Sequence, residues 1–492
     1  MNHRFRIASL FALWLFAWLL APGAGRATPS PISYQKLPNG LEVFVVENHA
    51  VPLATVCVGF RGGAVAQSRT TAGLFHLYEH LLFLSNETHP SPAAFTAALN
   101  NMGVSNWNGG TGFEGINYYT TVPANRLQDA VSFWAAAVRT PVFEEATFEN
   151  EKSVVINEIR GYHVDPNRYF FDALHRRIFP RYPWRHNIDG PEDNVRAATL
   201  DMMRQMQRDW YVPANAVLLV GGDVQPQAVF DAARAAFGDW QGRKPPRIGE
   251  PPQPGIAQNV KLAFEDADYY PGVSEVAVVW RGPDVSRQPA DTWAADVLLQ
   301  LMRSPVGRFK QALQTNVPGL FDPEYVDFNY PTASDGALFS FSALLATTHP
   351  DAQDALPDRA EQLRDAVLAE LKRIAQDPAQ YFGAEALQAA KQKLIDHNDY
   401  AMENSAGFVT GTLFFWWSVA GAQYFLDYEK NCNSVSYAAI QKLLRRYLVD
   451  APTAITIRVS TADAAADERW KPRAEALAYE FVHADNAHWW NP

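Results

Sequence analysis

The stretch Ala54-Thr55-Val56-Cys57-Val58-Gly59-Phe60-Arg61-Gly62-Gly63 shows how this chain is organised. Its apolar and β-branched residues are typical of a buried strand, and Arg-Gly-Gly ends that strand in a turn. A second apolar run, Leu41–Val46, precedes it, and apolar residues with helical spacing follow from about Thr71. The first part of the chain therefore predicts two strands, a turn and a long helix, in that order.

The same order recurs in the second part of the chain. Val260–Phe264 and Val273–Trp280 are strand-like, Arg281-Gly282 follows, and a helical stretch begins near Asp291. This recurrence indicates a duplicated α+β unit, so we expect two similar α/β-sandwich domains, each with helices packed on a mixed, mainly antiparallel sheet. Apolar residues spaced by about 3.6 predict further helices at Ser91–Asn101, Arg126–Val138, Glu144–Gly161, Pro226–Phe237, Asp358–Gln376, Ala384–Tyr400 and Tyr437–Leu448.

A proline-rich segment separates the two units. Residues 242–255 hold five prolines and three glycines, a composition that neither a helix nor a central strand tolerates. We predict an N-terminal domain at 28–241, a linker at 242–258 and a C-terminal domain at 259–492. Each domain then has an ordinary size for a single core.

The first residues predict an export signal. Met1–Arg6 carries two arginines and a histidine, Ile7–Ala21 is apolar, and a segment rich in small residues ends at Ala27. This order is typical of a signal peptide at 1–27, cleaved after Ala24 or Ala27. The apolar run is shorter than the ~20 residues of a membrane span, although a retained N-terminal anchor is the alternative. We expect a periplasmic or secreted protein without a stable membrane span after cleavage.

Composition excludes some classes of protein. Of 492 residues, 48% are hydrophobic and 19% are charged, which is a globular balance. The formal net charge is -11 and no basic stripe stands out, so a nucleic-acid partner is not expected. The two cysteines, Cys57 and Cys432, are distant in sequence; a buried free thiol is expected for Cys57, and a disulfide bridge is the alternative.

The segment His76-Leu77-Tyr78-Glu79-His80 carries candidate chemistry. On a helix, His76 and His80 are four residues apart on one face, where two imidazoles can bind one zinc ion. Glu79 lies on nearly the same face and can take a proton from water at that ion. The alternative is an amphipathic helix with two surface histidines.

A third ligand has to come from elsewhere, because a catalytic zinc ion usually has three protein ligands and one open position. Glu158 is the best candidate, and Glu151 lies seven residues before it, on the same face of the predicted helix. We predict that Glu158 completes the shell of one Zn²⁺ per chain. Glu151 is expected to hydrogen-bond the second nitrogen of a ligand imidazole. The alternative is that both are ordinary exposed glutamates.

The reversed His-x-x-Glu-His motif and its surroundings resemble the pitrilysin and insulysin family of inverzincin metallopeptidases, which includes mitochondrial processing peptidase. In that family a Glu-x6-Glu helix follows the motif by roughly 75 residues, and its second Glu ligates zinc. Here His80 and Glu158 are 78 positions apart, as 158 minus 80 gives. The resemblance covers nearly the whole mature chain.

The family also has a Gly-x-x-Asn segment that leads to a Tyr-bearing strand, and the edge of this sheet binds the substrate backbone. Gly103–Asn108 and Asn117–Tyr119 match these features. The resemblance therefore implies that Asn106 and Trp107 bind substrate. Trp107 replaces a small residue and is expected to narrow the substrate channel.

The second half departs from the family pattern. Catalytically complete members carry an Arg and a Tyr, separated by six residues, that lie over the active site, bind substrate and stabilise the oxyanion. Gln314 occupies the position of that Arg, and Phe321 occupies the position of that Tyr. Neither side chain supplies the positive charge or the hydroxyl donor. An alternative alignment gives these roles to Arg308 or Tyr325.

The resemblance predicts a zinc metalloendopeptidase subunit that hydrolyses short or unfolded peptides, with Glu79 as general base. Half-length members assemble as two chains that face each other. We therefore expect a heterodimer with a homologous second subunit that supplies the Arg and the Tyr. Two alternatives stay open: a non-catalytic binding or assembly subunit of the same fold, and a self-sufficient homodimeric peptidase.

Overall fold

The computed structural model describes residues 32–304, 307–348 and 354–491. The predicted signal peptide at 1–27 lies outside the described residues. None of the described helices is long and apolar enough to cross a membrane. The strands are β1 (Ile32–Lys36), β2 (Glu42–Glu47), β3 (Leu53–Arg61), β4 (Asn106–Thr111), β5 (Gly115–Pro123), β6 (Ala216–Gly222), β7 (Val260–Asp266), β8 (Val273–Arg281), β9 (Asp327–Asn329), β10 (Leu338–Ala346), β11 (Thr453–Ser460) and β12 (Glu480–Phe481).

The helices of the described chain fall mostly between these strands and in the long segment before β11. They are α1 (Leu74–Leu82), α2 (Pro92–Asn101), α3 (Leu127–Arg139), α4 (Glu145–His163), α5 (Pro166–Ile178), α6 (Glu192–Ala197), α7 (Leu200–Trp210), α8 (Pro226–Phe237), α9 (Pro289–Met302), α10 (Arg308–Asn316), α11 (Leu356–Gln376), α12 (Pro378–Phe382), α13 (Ala384–Met402), α14 (Ser405–Gly407), α15 (Phe414–Ala420), α16 (Ala422–Leu426), α17 (Tyr428–Ser434), α18 (Tyr437–Leu443), α19 (Thr461–Ala466), α20 (Trp470–Ala476) and α21 (Ala484–Ala487). Wider π-helical turns occupy Phe408–Leu413 and Leu444–Leu448.

The predicted helices are observed with small shifts at their ends. The helix at Pro226–Phe237 has the predicted bounds. The helix expected from Ser91 begins at Pro92, and the Ser91 hydroxyl caps it by accepting a hydrogen bond from the Ala94 N–H at 3.2 Å. The helix expected to run to Leu448 is α-helical only to Leu443, after which it widens to π-helical turns.

The described residues form two six-stranded sheets, ordered β1-β2-β6-β3-β5-β4 and β12-β7-β11-β8-β10-β9. In each sheet one inner pair is parallel, β2 with β6 and β7 with β11. The neighbouring pairs from there to β4 or β9 are antiparallel. Only the outer strand differs, because β1 is antiparallel to β2 whereas β12 is parallel to β7. The predicted fold of two similar α/β sandwiches with mixed sheets is confirmed.

Each half of the chain covers one face of the other half's sheet. On the first sheet, Phe44 and Leu219 pack against Trp417 from the second half. On the second sheet, Phe264 packs against Ala173 of α5, from the first half. Residues 242–258 contain no helix or strand. However, a segment from each side of this linker covers the sheet on its other side. The predicted domain boundaries therefore stay a proposal.

Both cysteines are buried free thiols. The expectation for Cys57 is confirmed, and the alternative of a disulfide bridge is not observed. Burial raises the pKa of the Cys57 thiol well above its usual value and that of Cys432 to about 12, so neither is a reactive thiolate at neutral pH.

The loop before α6 approaches the start of α1 backbone to backbone. Gly73 and Gly190 have φ angles of 91° and 66°. A Cβ on Gly190 would lie 2.3 Å from the Ala72 carbonyl oxygen, and one on Gly73 would lie 2.3 Å from the Asp189 carbonyl oxygen. Both the left-handed backbone and the close approach require glycine at these positions.

We predict that Gly190→Ala destabilises the protein by about 2 kcal/mol or more, because the added methyl group meets the Ala72 carbonyl in a left-handed conformation. Gly161→Ala is the matched control. Gly161 lies on α4, where a Cβ meets nothing within 4 Å, so this change should be neutral or stabilise by up to about 1 kcal/mol. Urea unfolding midpoints measure both effects, and equal midpoints for the two variants would contradict the prediction.

A partly buried carboxylate joins the two halves. Glu114, in the turn between β4 and β5, accepts hydrogen bonds from the backbone N–H of Ser334 at 2.8 Å and from its hydroxyl. Burial raises the pKa of Glu114 from 4.5 to about 7, although the Ser334 hydrogen bonds act in the opposite direction. Since the pKa is raised on folding, protonation of Glu114 stabilises the folded state. This stabilisation is complete below about pH 4.5 and is lost as the pH rises through about 7.

We predict that Glu114→Gln flattens the pH dependence of stability between about pH 4.5 and 7, because the amide cannot ionise. The free energy of unfolding of the variant minus that of the parent should be larger at about pH 8 than at about pH 5. The increase should be on the order of 1–3 kcal/mol. Denaturant unfolding of both proteins at both pH values measures this difference. A parent-to-variant difference that is the same at both pH values would count against it.

Candidate metal centre

Two helices face each other across the candidate site. Helix α1 carries His76, Glu79 and His80, and helix α4 carries Glu151 and Glu158. The opposite face of α1 is buried in the core, as a period of 3.6 residues requires, and consists of Leu74, Leu77, Tyr78, Leu81 and Leu82.

One donor atom from each of three side chains converges between these helices. The Oε2 atom of Glu158 lies 3.6 Å from Nε2 of His76 and 3.5 Å from Nε2 of His80. All three donor atoms lie within 4.8 Å of one another. Ligand atoms of a tetrahedral zinc ion, each about 2.1 Å from the metal, are ~3.4 Å apart. The three side chains therefore fit a zinc ion without large movement.

The first imidazole is largely removed from water. Burial, with the nearby His80 and Arg168 charges, lowers the pKa of His76 to about 4. The imidazole is therefore neutral at neutral pH, which is the form that binds a metal ion. Its Nε2 atom faces Glu158. Its Nδ1 atom is buried and meets no hydrogen-bond partner within the described part of the chain.

The second imidazole is oriented by a carboxylate. The Oε2 atom of Glu151 lies 3.3 Å from Nδ1 of His80. This contact directs Nε2 of His80 towards Glu158, as carboxylates do behind metal-binding histidines. Glu151 thus lies where the sequence placed it, and its role in metal binding stays a prediction.

The carboxylate of Glu79 is held beside the donor atoms by a threonine. Its Oε2 accepts a hydrogen bond from the Thr111 hydroxyl at 2.8 Å. Burial raises the pKa of Glu79, and this hydrogen bond opposes the shift. A carboxylate whose pKa is moved towards neutrality is suited to receive and return a proton. No sequence pattern pointed to Thr111, because it reaches Glu79 only through the packing of β4 on α1.

Within the described ranges, strand β4 forms the edge of the first sheet and pairs only with β5. Asn106 and Trp107 begin it and Thr111 ends it. At about 3.3 Å per residue, Asn106 is ~17 Å from Thr111, so it lies at the far end of the strand from Glu79. Trp107 is 42% exposed, and its ring lies 5.3 Å from that of Phe83, at the end of α1.

The open edge of β4 presents backbone groups. The N–H of Gly109 donates to the Asn108 side chain at 2.9 Å. Because this N–H is not paired with β5, it faces away from the sheet. A second strand laid along the edge would find such groups there.

No Arg or Tyr side chain of the described second half forms a hydrogen bond, ion pair or ring contact with His76, Glu79, His80 or Glu158. Gln314 lies on α10, and the exposed ring of Phe321 lies 6.2 Å from that of Tyr325. The guanidinium of Arg308 stacks over Tyr381 at 4.5 Å. Among the described residues, none of these side chains has a hydrogen bond, ion pair or ring contact with the candidate ligands His76, His80 and Glu158.

Three side chains that the sequence did not single out border the site. Tyr162 lies one helical turn beyond Glu158 on α4. The guanidinium of Arg168 lies over the Tyr162 ring at 4.5 Å and donates to Asp189 at 3.1 Å. Tyr162 could have been predicted from the sequence, because its four-residue spacing from Glu158 places both side chains on one helix face. Arg168 follows the helix break at Asp165, so no periodicity could have placed it.

Comparison with known proteins places the chain in a family. The family model described as Insulinase (Peptidase family M16) matches residues 42–192, and the model described as Peptidase M16 inactive domain matches residues 197–394. Mitochondrial-processing peptidase subunit beta of Dictyostelium discoideum is 24% identical over 201 residues, which are 41% of this chain and 42% of that protein. Cytochrome b-c1 complex subunit 1 of Bos taurus is 26% identical over 208 residues, 42% of each chain.

These matches cover less than half the length of either relative. Among solved structures, the first half of the periplasmic protease PqqL from Escherichia coli superimposes with a TM-score of 0.70 at 17% identity, covering 89% of this chain and 93% of that one. At this identity the likeness concerns the fold. The two family models follow each other along residues 42–394, with the candidate metal centre inside the first. The chain therefore belongs to the insulinase family of peptidases, M16.

Proposed function

We propose that this chain is a zinc metalloendopeptidase subunit that hydrolyses short or unfolded peptides. The observation that carries the proposal is the convergence of the His76, His80 and Glu158 donor atoms within 4.8 Å. The Glu79 carboxylate lies beside them on the same helix. A surface pair of histidines would not explain a third donor from another helix or the carboxylate behind His80.

His76, His80 and Glu158 would hold one Zn²⁺ per chain. Two imidazoles and one carboxylate are the ligand set of many catalytic zinc sites, and they leave one position open. Bound zinc supplies a Lewis acid that polarises the scissile carbonyl and activates water. The Glu158 side chain is 37% exposed, so the open side of the site faces solvent.

Glu79 acts as the proton carrier in this proposal. Its carboxylate takes a proton from the attacking water while the water oxygen bonds to the carbonyl carbon. The same proton then passes to the amide nitrogen as the C–N bond breaks, which releases an amine and a carboxylic acid. The acid loses the second water proton to solvent and becomes a carboxylate. Thr111 binds Oε2 of Glu79 and so leaves Oε1 free to face the water.

The edge of β4 is the proposed substrate track. An extended peptide would add to this edge as a further strand by backbone pairing. The Gly109 N–H would exchange its Asn108 partner for a substrate carbonyl. Trp107, beside Phe83, would border the far part of the track near Asn106 and narrow it.

We further propose that the chain works with a homologous partner that supplies an Arg and a Tyr. In the part of the chain that the structure describes, no Arg or Tyr of the second half contacts the site, and Gln314 and Phe321 occupy the matching positions. Both facts support this proposal. One relative is named as a subunit of a processing peptidase and another as a subunit of a respiratory complex. The likeness to a periplasmic protease and the predicted signal peptide support a periplasmic or secreted location.

The match to a cytochrome b-c1 complex subunit favours a second candidate, a binding or assembly subunit without turnover. The intact set of three donor atoms and a base argues for the peptidase. A self-sufficient homodimeric peptidase is the remaining alternative, and the mass and activity of the purified chain distinguish it.

We predict that the protein binds one zinc ion per chain and that Glu79→Gln keeps this zinc but slows peptide hydrolysis by about 10²–10⁴-fold, because the proton carrier is lost. Glu158→Gln should lose zinc, since an amide is a poor ligand. Glu145→Gln, at the exposed start of the same helix, is the control and should change neither. Elemental analysis and cleavage of an unfolded peptide measure these effects. Undiminished hydrolysis by Glu79→Gln would favour the assembly role.

We predict that the chain alone binds zinc but cleaves poorly, and that a homologous chain with the Arg and Tyr pair raises the rate by about 100-fold or more. Co-expression, light scattering for mass, and peptide cleavage test this prediction. A purified homodimer that cleaves as fast as the mixed complex would contradict it and support the homodimeric alternative.

A further inference from the structure

An arginine at the border of the candidate metal centre has no part in the mechanism above. Arg168 lies in the first turn of α5 and is 44% exposed, while its partner Asp189 is 7% exposed. Nη1 of Arg168 donates to Asp189 at 3.1 Å, and the guanidinium face lies on the Tyr162 ring at 4.5 Å. In the described structure, Nη2 and Nε of Arg168 have no hydrogen-bond partner, so part of a well-held guanidinium is open to solvent.

Both supports of Arg168 are tied to the metal-binding helices. Tyr162 lies four residues after Glu158 on α4, and it therefore shares the face of that ligand. The backbone of Asp189 packs against Gly73, one turn before His76. Arg168 is thus held between the start of α1 and the end of α4, on one side of the three donor atoms.

We propose that Arg168, held by Asp189 and Tyr162, forms a carboxylate-binding subsite that favours peptides with a carboxylate near the scissile bond. The proposal rests on the proposed function, because it assigns a substrate class to the same site. A guanidinium donates in a planar fork that matches a carboxylate, and its charge strengthens both hydrogen bonds. Because Asp189 and Tyr162 already fix the side chain, little side-chain entropy is lost on binding.

The carboxylate can come from an Asp or Glu side chain or from the free C-terminus of a peptide. Both sources present the same two oxygens to Arg168. If Arg168 served only as a structural ion pair with Asp189, it would use only the guanidinium edge that is already bound. Substrate affinity would then not depend on Arg168 and a substrate carboxylate together. Dependence of binding on a substrate carboxylate is therefore the property that separates the two roles.

The test uses the full chain in its active assembly with Glu79→Gln, so that peptides bind without being cut. One short synthetic peptide is made in three forms: neutral with an amidated C-terminus, amidated with a single Glu, and neutral with a free C-terminus. We expect Arg168→Gln to weaken binding of one or both carboxylate forms by about 10–100-fold. Binding of the neutral amidated form should stay within about twofold.

Three further variants control the result. Arg168→Lys keeps a charge without the fork and should recover part of the affinity. Asp189→Asn releases the guanidinium and should weaken the same forms by a smaller factor. Arg196→Gln, which removes an exposed arginine paired with Glu192, should bind all three forms like the parent. If Arg168→Gln does not fold, Arg168→Lys and Asp189→Asn carry the comparison.

The three forms distinguish the outcomes. Weaker binding of the Glu form identifies a side-chain carboxylate, and weaker binding of the free C-terminal form identifies the chain terminus. An equal change for all three forms, or no change for any, overturns the subsite. Zinc content and cleavage with Glu79 restored test the proposed function separately. A parent without zinc would refute that function, while charge-dependent binding would still decide the subsite.

Discussion

The backbone contact between the start of α1 and the loop before α6 is the constraint on which the candidate site depends. Gln67 holds it from both sides, since its amide donates to the Asn187 carbonyl at 2.9 Å and accepts from the Gly73 N–H at 2.7 Å. The Asn187 side chain accepts from the Gly190 N–H at 2.6 Å. These bonds fix the first turn of α1, and His76 follows one turn later. The same loop carries Asp189, so one local contact positions both the candidate ligand His76 and the carboxylate that holds the Arg168 guanidinium.

The helix that carries Glu158 leads into a helix that packs on the other half of the chain. Helix α4 ends at His163, and α5 begins three residues later with Asp165 as its cap. The ring of Phe170 on α5 stacks on Phe264 of the second sheet at 4.9 Å, and His488 near the C-terminus approaches Asp172 of α5 at 2.9 Å. Among the described residues, the candidate ligands all come from the first half, and the helix that follows Glu158 is supported by the second half. Residues 28–241 alone would expose the apolar face of α5 and lose this support.

The parts of the molecule that follow local periodicity could be predicted from the sequence. The spacing of His76, Glu79 and His80 is a property of a single helical turn, and the repeated order of strands and helices indicated the duplicated fold. Glu158 needed the resemblance to a family, because 78 residues separate it from His80. Thr111 and Arg168 could not be predicted, since each reaches the site only after a strand or helix packs on another element. The exchange of covering segments between the halves could not be predicted for the same reason. Periodicity predicts which face of a helix is buried but not which sheet that face packs on.

The geometry also gives the candidate track a direction. Strand β4 runs beside α1 in the opposite sense, because Trp107 meets Phe83 at the end of the helix whereas Thr111 meets Glu79 nearer its start. A peptide paired with β4 would therefore follow α1 past Glu79 towards the first turn, where Arg168 is held. The nine residues of α1 span ~13 Å, about the length of four extended residues. A carboxylate bound by Arg168 would thus lie on the opposite side of the scissile bond from the residues near Trp107, and within a few residues of that bond.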